Sequence, residues 1–215
     1  MADILFVARH GETVWNVEDR IQGRRCDSPL TALGVAQATA LADMLAGAGI
    51  GRVFCSSQGR AVQTATVIAG WIGCSMTPDS RLDERDLSIF EGRKKTELAD
   101  ESAWGRGLVH PTESESRAPG GESMGDAATR ILPFLKTVRE LPECAVAAVT
   151  HSHVLQALLG VLMGTQDYEM FRHTNTAYSI IRWVDDQPKV VRWDVADHLQ
   201  LPVHAVAGDI GVPQF

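Results

Sequence analysis

Cysteine is scarce and unpaired in this 215-residue chain: Cys26, Cys55, Cys74 and Cys144 stand far apart, with no Cys-x-x-Cys. That spacing argues against a disulfide framework or a cysteine-rich metal site and fits free buried thiols. Long apolar runs are missing too. The stretch from Ile4 to Ala8 is followed at once by Arg9-His10, too short for the apolar region of a signal peptide. Nothing approaches the ~18 apolar residues of a membrane span. Positive charge is in deficit, with 20 Lys and Arg against 27 Asp and Glu, which argues against a nucleic-acid or anionic-membrane partner. A small anionic substrate stays open, because a local cluster of Arg and His can be positive on an acidic protein. Internal repeats, low-complexity tracts and linkers are also lacking. The expectation is one cytoplasmic domain spanning residues 1–215.

What is present alternates. Ile4 to Ala8 reads as a strand buried on both faces. Thr31 can cap a helix running to about Ala46, whose expected buried stripe is Leu33, Ala36, Gln37, Ala40, Leu41, Met44 and Leu45. A second strand, Arg52 to Cys55, precedes a helix from about Gly59 to Trp71. Residues 79–121 are broken and polar apart from a short helical candidate near Lys94 to Ala99. A helix is expected over Asp126 to Leu141, with Pro133 in conflict, then a strand over Ala145 to Val149 and an apolar helix over Val154 to Met163. Two alternating strands, Ala177 to Val184 and Lys189 to Val195, close the pattern. Such alternation predicts an α/β three-layer sandwich, a mostly parallel sheet with helices on both faces.

In such sheets ligands bind beyond the carboxyl ends of the strands. Arg9-His10, Ser56-Ser57 and His151 each follow an expected strand, so three separate segments converge on one edge. Each has an ordinary reading as well: a strand-end histidine is commonly structural, and Arg60 alone reads as a solvated helix face. Arg9 beside His10 points further, since a phosphate dianion suits a charged, bidentate partner.

Taken in order, Arg9-His10-Gly11-Glu12-Thr13, Trp15-Asn16, Gln22-Gly23, Asp27-Ser28-Pro29-Leu30-Thr31, Ser56-Ser57, Arg60-Ala61, Gln63-Thr64-Ala65, Arg81-Leu82-Asp83-Glu84, Glu91-Gly92, Gly120-Gly121-Glu122-Ser123 and His151 carry a resemblance. The chain resembles the histidine phosphatase superfamily, also called phosphoglycerate mutase-like, over about residues 4–163. The resemblance implies that His10 is the nucleophile, that Arg9, Arg60 and His151 surround the phosphoryl group, and that Glu84 is proton donor and then base. It also implies that Asn16, Gln22, Gly23, Arg85 and Ser152 contact phosphate or substrate, and that no cofactor or metal is needed. His151-Ser152-His153 would suggest a metal pair in isolation, but no clustered acids or cysteines accompany it.

Within the family, the Asn175 to Ser179 stretch and Asp197-His198-Leu199 are similar to the metal-independent phosphoserine phosphatases. That branch has a substrate-contacting histidine shortly after the catalytic Glu, where this chain has Leu87. Mutases of the family carry a longer insertion with an Arg-Arg pair. Here residues 85–119 form a shorter, lid-like insertion, offering Arg85, Arg93, Lys94, Lys95, Arg106, His110 and Arg117 without such a pair. The expected function is hydrolysis of a small phosphorylated metabolite through a phosphohistidine. Mutase-type phosphoryl transfer is the alternative, and a silent binding module, which should have lost one of the five principal residues, stands behind it. A homodimer is compatible with the sequence.

Overall fold

The computed structural model describes residues 1–101 and 114–199. A six-stranded sheet organises them, built from β1 (Ile4–Arg9), β2 (Ile50–Cys55), β3 (Ser75–Pro78), β4 (Ala145–Thr150), β5 (Tyr178–Val184) and β6 (Gln187–Val195), in the order β3-β2-β4-β1-β5-β6. The first four strands run parallel, and β5 and β6 continue the sheet antiparallel. Every residue of β4 is buried, because its alternate side chains enter two cores. Ala145, Ala147 and Val149 pack with α2 (Ala32–Leu45) and α3 (Gly59–Ile72). Val146 and Ala148 pack with α5 (Met124–Arg139) and α6 (Ser152–Met163) on the other face. This is the expected three-layer arrangement.

Local chemistry explains the helix ends. Thr31 caps α2 by accepting from the Gly34 amide at 2.9 Å, and Ser123 with Asp126 forms a reciprocal capping box that starts α5 at Met124 rather than at Asp126. Pro133 does not break α5. It lies on the solvent side, so the missing amide costs nothing to the buried stripe of Ile131, Phe134, Leu135 and Val138. The β5–β6 hairpin turns at Asp185-Asp186, both at positive φ, as a two-residue turn between twisted strands requires.

Several expectations need correction. The buried face of α2 is Gly34, Ala38, Leu41, Ala42 and Leu45, while Leu33 and Met44 are 56% and 40% exposed. Alanines surround this helix, so its apolar period does not define one face, and packing against α3 decides. A four-residue helix, α1 (Val14–Val17), held by a Thr13–Asn16 capping box, precedes α2 and has no counterpart among the expected elements. Strand β3 carries no alternation because it is a short, partly exposed edge. Residues 79–121 are not simply polar: Leu87, Phe90, Leu98 on the short helix α4 (Lys95–Glu101) and Ala118 form a small core with Ile21. Among the described residues no helix is long and apolar enough to cross a membrane.

Candidate active site

Strand register brings the chemistry together. The His10 amide donates to the Thr150 carbonyl at 3.0 Å, and the Ser56 amide to that of Val149 at 2.9 Å, so the ends of β1, β2 and β4 lie side by side. His10 and His151 pack with ring centroids 5.2 Å apart. His10 Nδ1 is 2.7 Å from the Gly11 carbonyl oxygen. A carbonyl can only accept, so Nδ1 carries the proton and Nε2 keeps its lone pair. The Gly11 amide donates to Thr64 Oγ1 on α3 at 3.0 Å. Only glycine fits here, since a Cβ on Gly11 would lie 2.5 Å from the Gly34 carbonyl oxygen of α2.

Two arginines flank the histidines, Arg60 fully buried and Arg9 half-buried. Arg9 Nη1 donates to the His173 carbonyl at 2.7 Å. Arg60, 1% exposed on the first turn of α3, donates to Asp27 Oδ1 and to the Gly23 carbonyl, each at 2.8 Å. Burial pushes the Arg9 guanidinium down to about 10, against the pull of Glu84. Burial, helped by Arg60 and then Arg9, holds His10 well below the usual imidazole range, so the free imidazole is neutral. His151 is held well below that range too, by burial and then by Arg60 and His10. The Nε of Arg9, the Nε of Arg60 and both ring nitrogens of His151 are buried without a hydrogen-bond partner among the described residues. Converging, unsatisfied donors of this kind suit a small oxyanion.

Glu84 lines the same cavity, of about 160 Å³. Its amide donates to Gln58 Oε1 at 2.8 Å, and its Oε1 accepts the Arg85 amide at 2.9 Å. Burial raises its carboxyl above the ordinary range despite that amide and the nearby arginines.

Of the residues singled out from sequence, Arg9, His10, Asn16, Gln22, Gly23, Arg60, Glu84 and Ser152 line this cavity, and His151 lies directly against His10. Asn16 Oδ1 accepts from the Thr13 amide and from Asn175 Nδ2, which leaves its amide nitrogen for a ligand. Gln22 is buried, with Oε1 unpartnered among the described residues. Arg85 is apart from the rest. It is fully buried, near Glu84 and Glu122, and does not line the cavity; burial takes its guanidinium to about 10. Arg106 and His110 lie outside the described residues.

Sequence reasoning gave no role to Gln58, Asn175 or His173. His173 Nδ1 donates to the Phe171 carbonyl at 2.8 Å, which leaves Nε2 to accept from the Ser179 hydroxyl at 2.7 Å, and the His173 carbonyl holds Arg9. Asn175 was visible only as part of a motif. Gln58 follows Ser56-Ser57 but carries no signal of its own. Among the described residues there is no cluster of three or more His, Cys, Asp or Glu side chains that could hold a metal ion.

The model of the histidine phosphatase superfamily (branch 1) matches residues 5–196. A probable phosphoglycerate mutase, GpmB, of Salmonella paratyphi B is 36% identical over 207 residues, covering 92% of this chain and 95% of its own. Among solved structures, YhfR of Bacillus stearothermophilus superposes with a TM-score of 0.83 at 29% identity, over 93% of this chain and 100% of that one. A mycobacterial glucosyl-3-phosphoglycerate phosphatase, solved with VO3, gives a TM-score of 0.80 at 25% identity, over 90% and 100%. With a family match running from β1 to the end of the sheet, the chain belongs to branch 1 of the histidine phosphatase superfamily and is a histidine phosphatase.

Proposed function

We propose that the protein hydrolyses a small phosphorylated metabolite, without metal, through a phosphohistidine on His10. The observation that carries this is the 2.7 Å bond from Nδ1 to the Gly11 carbonyl, which leaves Nε2 as a neutral nucleophile in a cavity lined by Arg9 and Arg60. In the first step Nε2 attacks phosphorus and the ester P–O bond breaks. The departing oxygen takes the proton from Glu84. In the second step the Glu84 carboxylate takes a proton from water, whose oxygen attacks the phosphohistidine and releases inorganic phosphate and neutral His10. Arg9, Arg60 and His151 stabilise the charge on the equatorial oxygens in both steps. Asn16 donates to the same group, and Gln22, Gly23 and Ser152 line the substrate side. Arg85 acts from behind Glu84 as part of its field. The described parts of the lid-like insertion, 85–101 and 114–119, supply the wall, and 102–113 lie outside the described residues.

The name of the Salmonella relatives favours a second reading, return of the phosphoryl group to a phosphoglycerate. One experiment serves both. His10→Ala should abolish turnover of phosphate monoesters in EDTA, and acid-labile phosphate should be trapped on the wild type only. An active His10→Ala enzyme would sink the mechanism. Phosphoglycerate isomerised faster than it is hydrolysed would replace hydrolysis by mutase chemistry.

A further inference from the structure

We infer that Gln58 is a positioning residue that holds Glu84 in register with Arg60, a role that rests on the reading of Glu84 as proton donor. Gln58 stands at the N-cap of α3, yet its side chain does not cap that helix. A cap would favour Ser, Thr, Asp or Asn. The side chain is spent elsewhere. Its Nε2 donates to the Gly23 carbonyl at 2.7 Å and to the Arg24 carbonyl at 3.0 Å, while Oε1 accepts the Glu84 amide at 2.8 Å. Two carbonyls on one side and an amide N–H on the other fix the orientation of the carboxamide, because a flipped group would oppose acceptor to acceptor.

The Gly23 carbonyl is shared. Arg60 Nη2 donates to it at 2.8 Å, so a single oxygen sets both the guanidinium and Gln58. A chain of three bonds therefore runs from Arg60 through Gly23 and Gln58 to the backbone of Glu84. Asp83 is tied through the serines, its Oδ1 accepting from the Ser57 amide at 2.8 Å and the Ser57 hydroxyl at 2.7 Å, with the Ser56 hydroxyl lying 3.0 Å from it and 3.1 Å from Gln58 Oε1. Among these ties only the one from Gln58 reaches Glu84 itself and also reaches the loop that orients Arg60. Gln58 is 8% exposed and does not line the cavity, so it acts through its neighbours. Without it the acid keeps its chemistry but loses its placement relative to the phosphoryl group.

A misplaced acid has a signature that general loosening does not. Alkoxide leaving groups need a proton as they depart, whereas p-nitrophenolate does not. Gln58→Met removes the hydrogen bonds at similar length, and Gln58→Leu provides a second apolar variant should the first fail to fold. The probes are p-nitrophenyl phosphate, followed as the nitrophenol burst, and glycerol 2-phosphate. The burst amplitude counts intact sites, so partial misfolding lowers amplitude without changing rate. Gln58→Met should slow phosphoryl transfer from glycerol 2-phosphate roughly 10- to 100-fold, the scale of a small misplacement. The nitrophenol burst should change less than about threefold. In a Glu84→Gln background the same substitution should add little, because both remove one function. Equal losses on the two substrates in Gln58→Met, with Glu84→Gln still selective, would overturn the positioning role alone. A multiplicative loss in the double variant would overturn it too. Equal losses in Glu84→Gln would remove the acid assignment and the role of Gln58 with it.

Discussion

The floor and the outer wall of the cavity are built by different means. The floor, His10 with Arg9, Arg60 and His151, hangs from strand ends and a first helical turn, where sheet register and buried backbone bonds fix each Cα. The wall between Leu87 and Leu98 has only a 3₁₀ turn, Ser88–Phe90, and the start of the short helix Lys95–Glu101, and it is held by side chains that reach backbone. Glu91 is the clearest case: its two oxygens accept the amides of Arg24, Leu87, Arg25 and Cys26 at 2.6 to 3.0 Å. One carboxylate thus ties the loop after α1 to the segment after Glu84. The difference teaches a division of labour. In the proposed mechanism the nucleophile and the groups around its phosphate sit on the part that cannot move without breaking the sheet, and the surface that meets the leaving group sits on the part that loop changes can alter.

Damage to the floor should therefore fall on the chemical step and damage to the wall on substrate retention. The largest effect is expected for Arg60→Ala, which removes a fully buried guanidinium facing the phosphoryl group. Phosphohistidine formation should slow by about 10³-fold, the scale for losing a charged transition-state donor. A burst rate within tenfold of wild type would show that Arg60 only braces the Gly23 loop. Glu91→Ala should have the next largest effect. Freeing four amides from one carboxylate costs about 2 kcal/mol of local order, which corresponds to a KM raised more than tenfold. Its kcat should fall much less. If kcat falls as far as KM rises, the wall reaches into the chemistry and the division drawn here fails.

The same contrast explains what the sequence reveals. β1 and β4 are legible because continuous apolar runs stop at Arg9-His10 and at His151, and a buried strand followed by a charged residue marks a strand end. The capped start of α2 is legible from Thr31. Its buried face is not, since alanines on several sides let packing rather than period choose Ala38 and Ala42 over Leu33 and Met44. Strand β3 is hidden for another reason: at an exposed edge, Ser75 to Pro78 need no alternation. The wall is the least legible part. Glu91 and Gln58 act through bonds to backbone of distant loops, and no local spacing records such a bond. Arg85 shows the converse, a charged neighbour of Glu84 that sequence makes a substrate contact and burial removes from the cavity surface.

The smallest expected effect concerns protons at the floor. In the free enzyme burial and the nearby Arg60, His10 and Arg9 hold His151 well below the ordinary histidine range, so it is neutral near pH 7. An oxyanion seated between His151 and the arginines would offset their field and accept a hydrogen bond from the ring, both of which favour imidazolium. Its pKa must then rise on binding, and the complex must take up protons at near-neutral pH. Affinity should accordingly weaken as pH rises through the bound-state pKa, not as it falls. Sulfate is the suitable probe, because its own charge is constant across the range. Glu84 would respond in the same direction, so the measurement belongs in Glu84→Gln. Titration calorimetry in two buffers of different ionisation enthalpy should report uptake of roughly half a proton to one proton. His151→Gln in that background should abolish most of it. Heats independent of buffer would mean that His151 stays neutral beside the anion and serves as a neutral hydrogen-bond donor. The positive field of the floor would then belong to Arg9 and Arg60 alone.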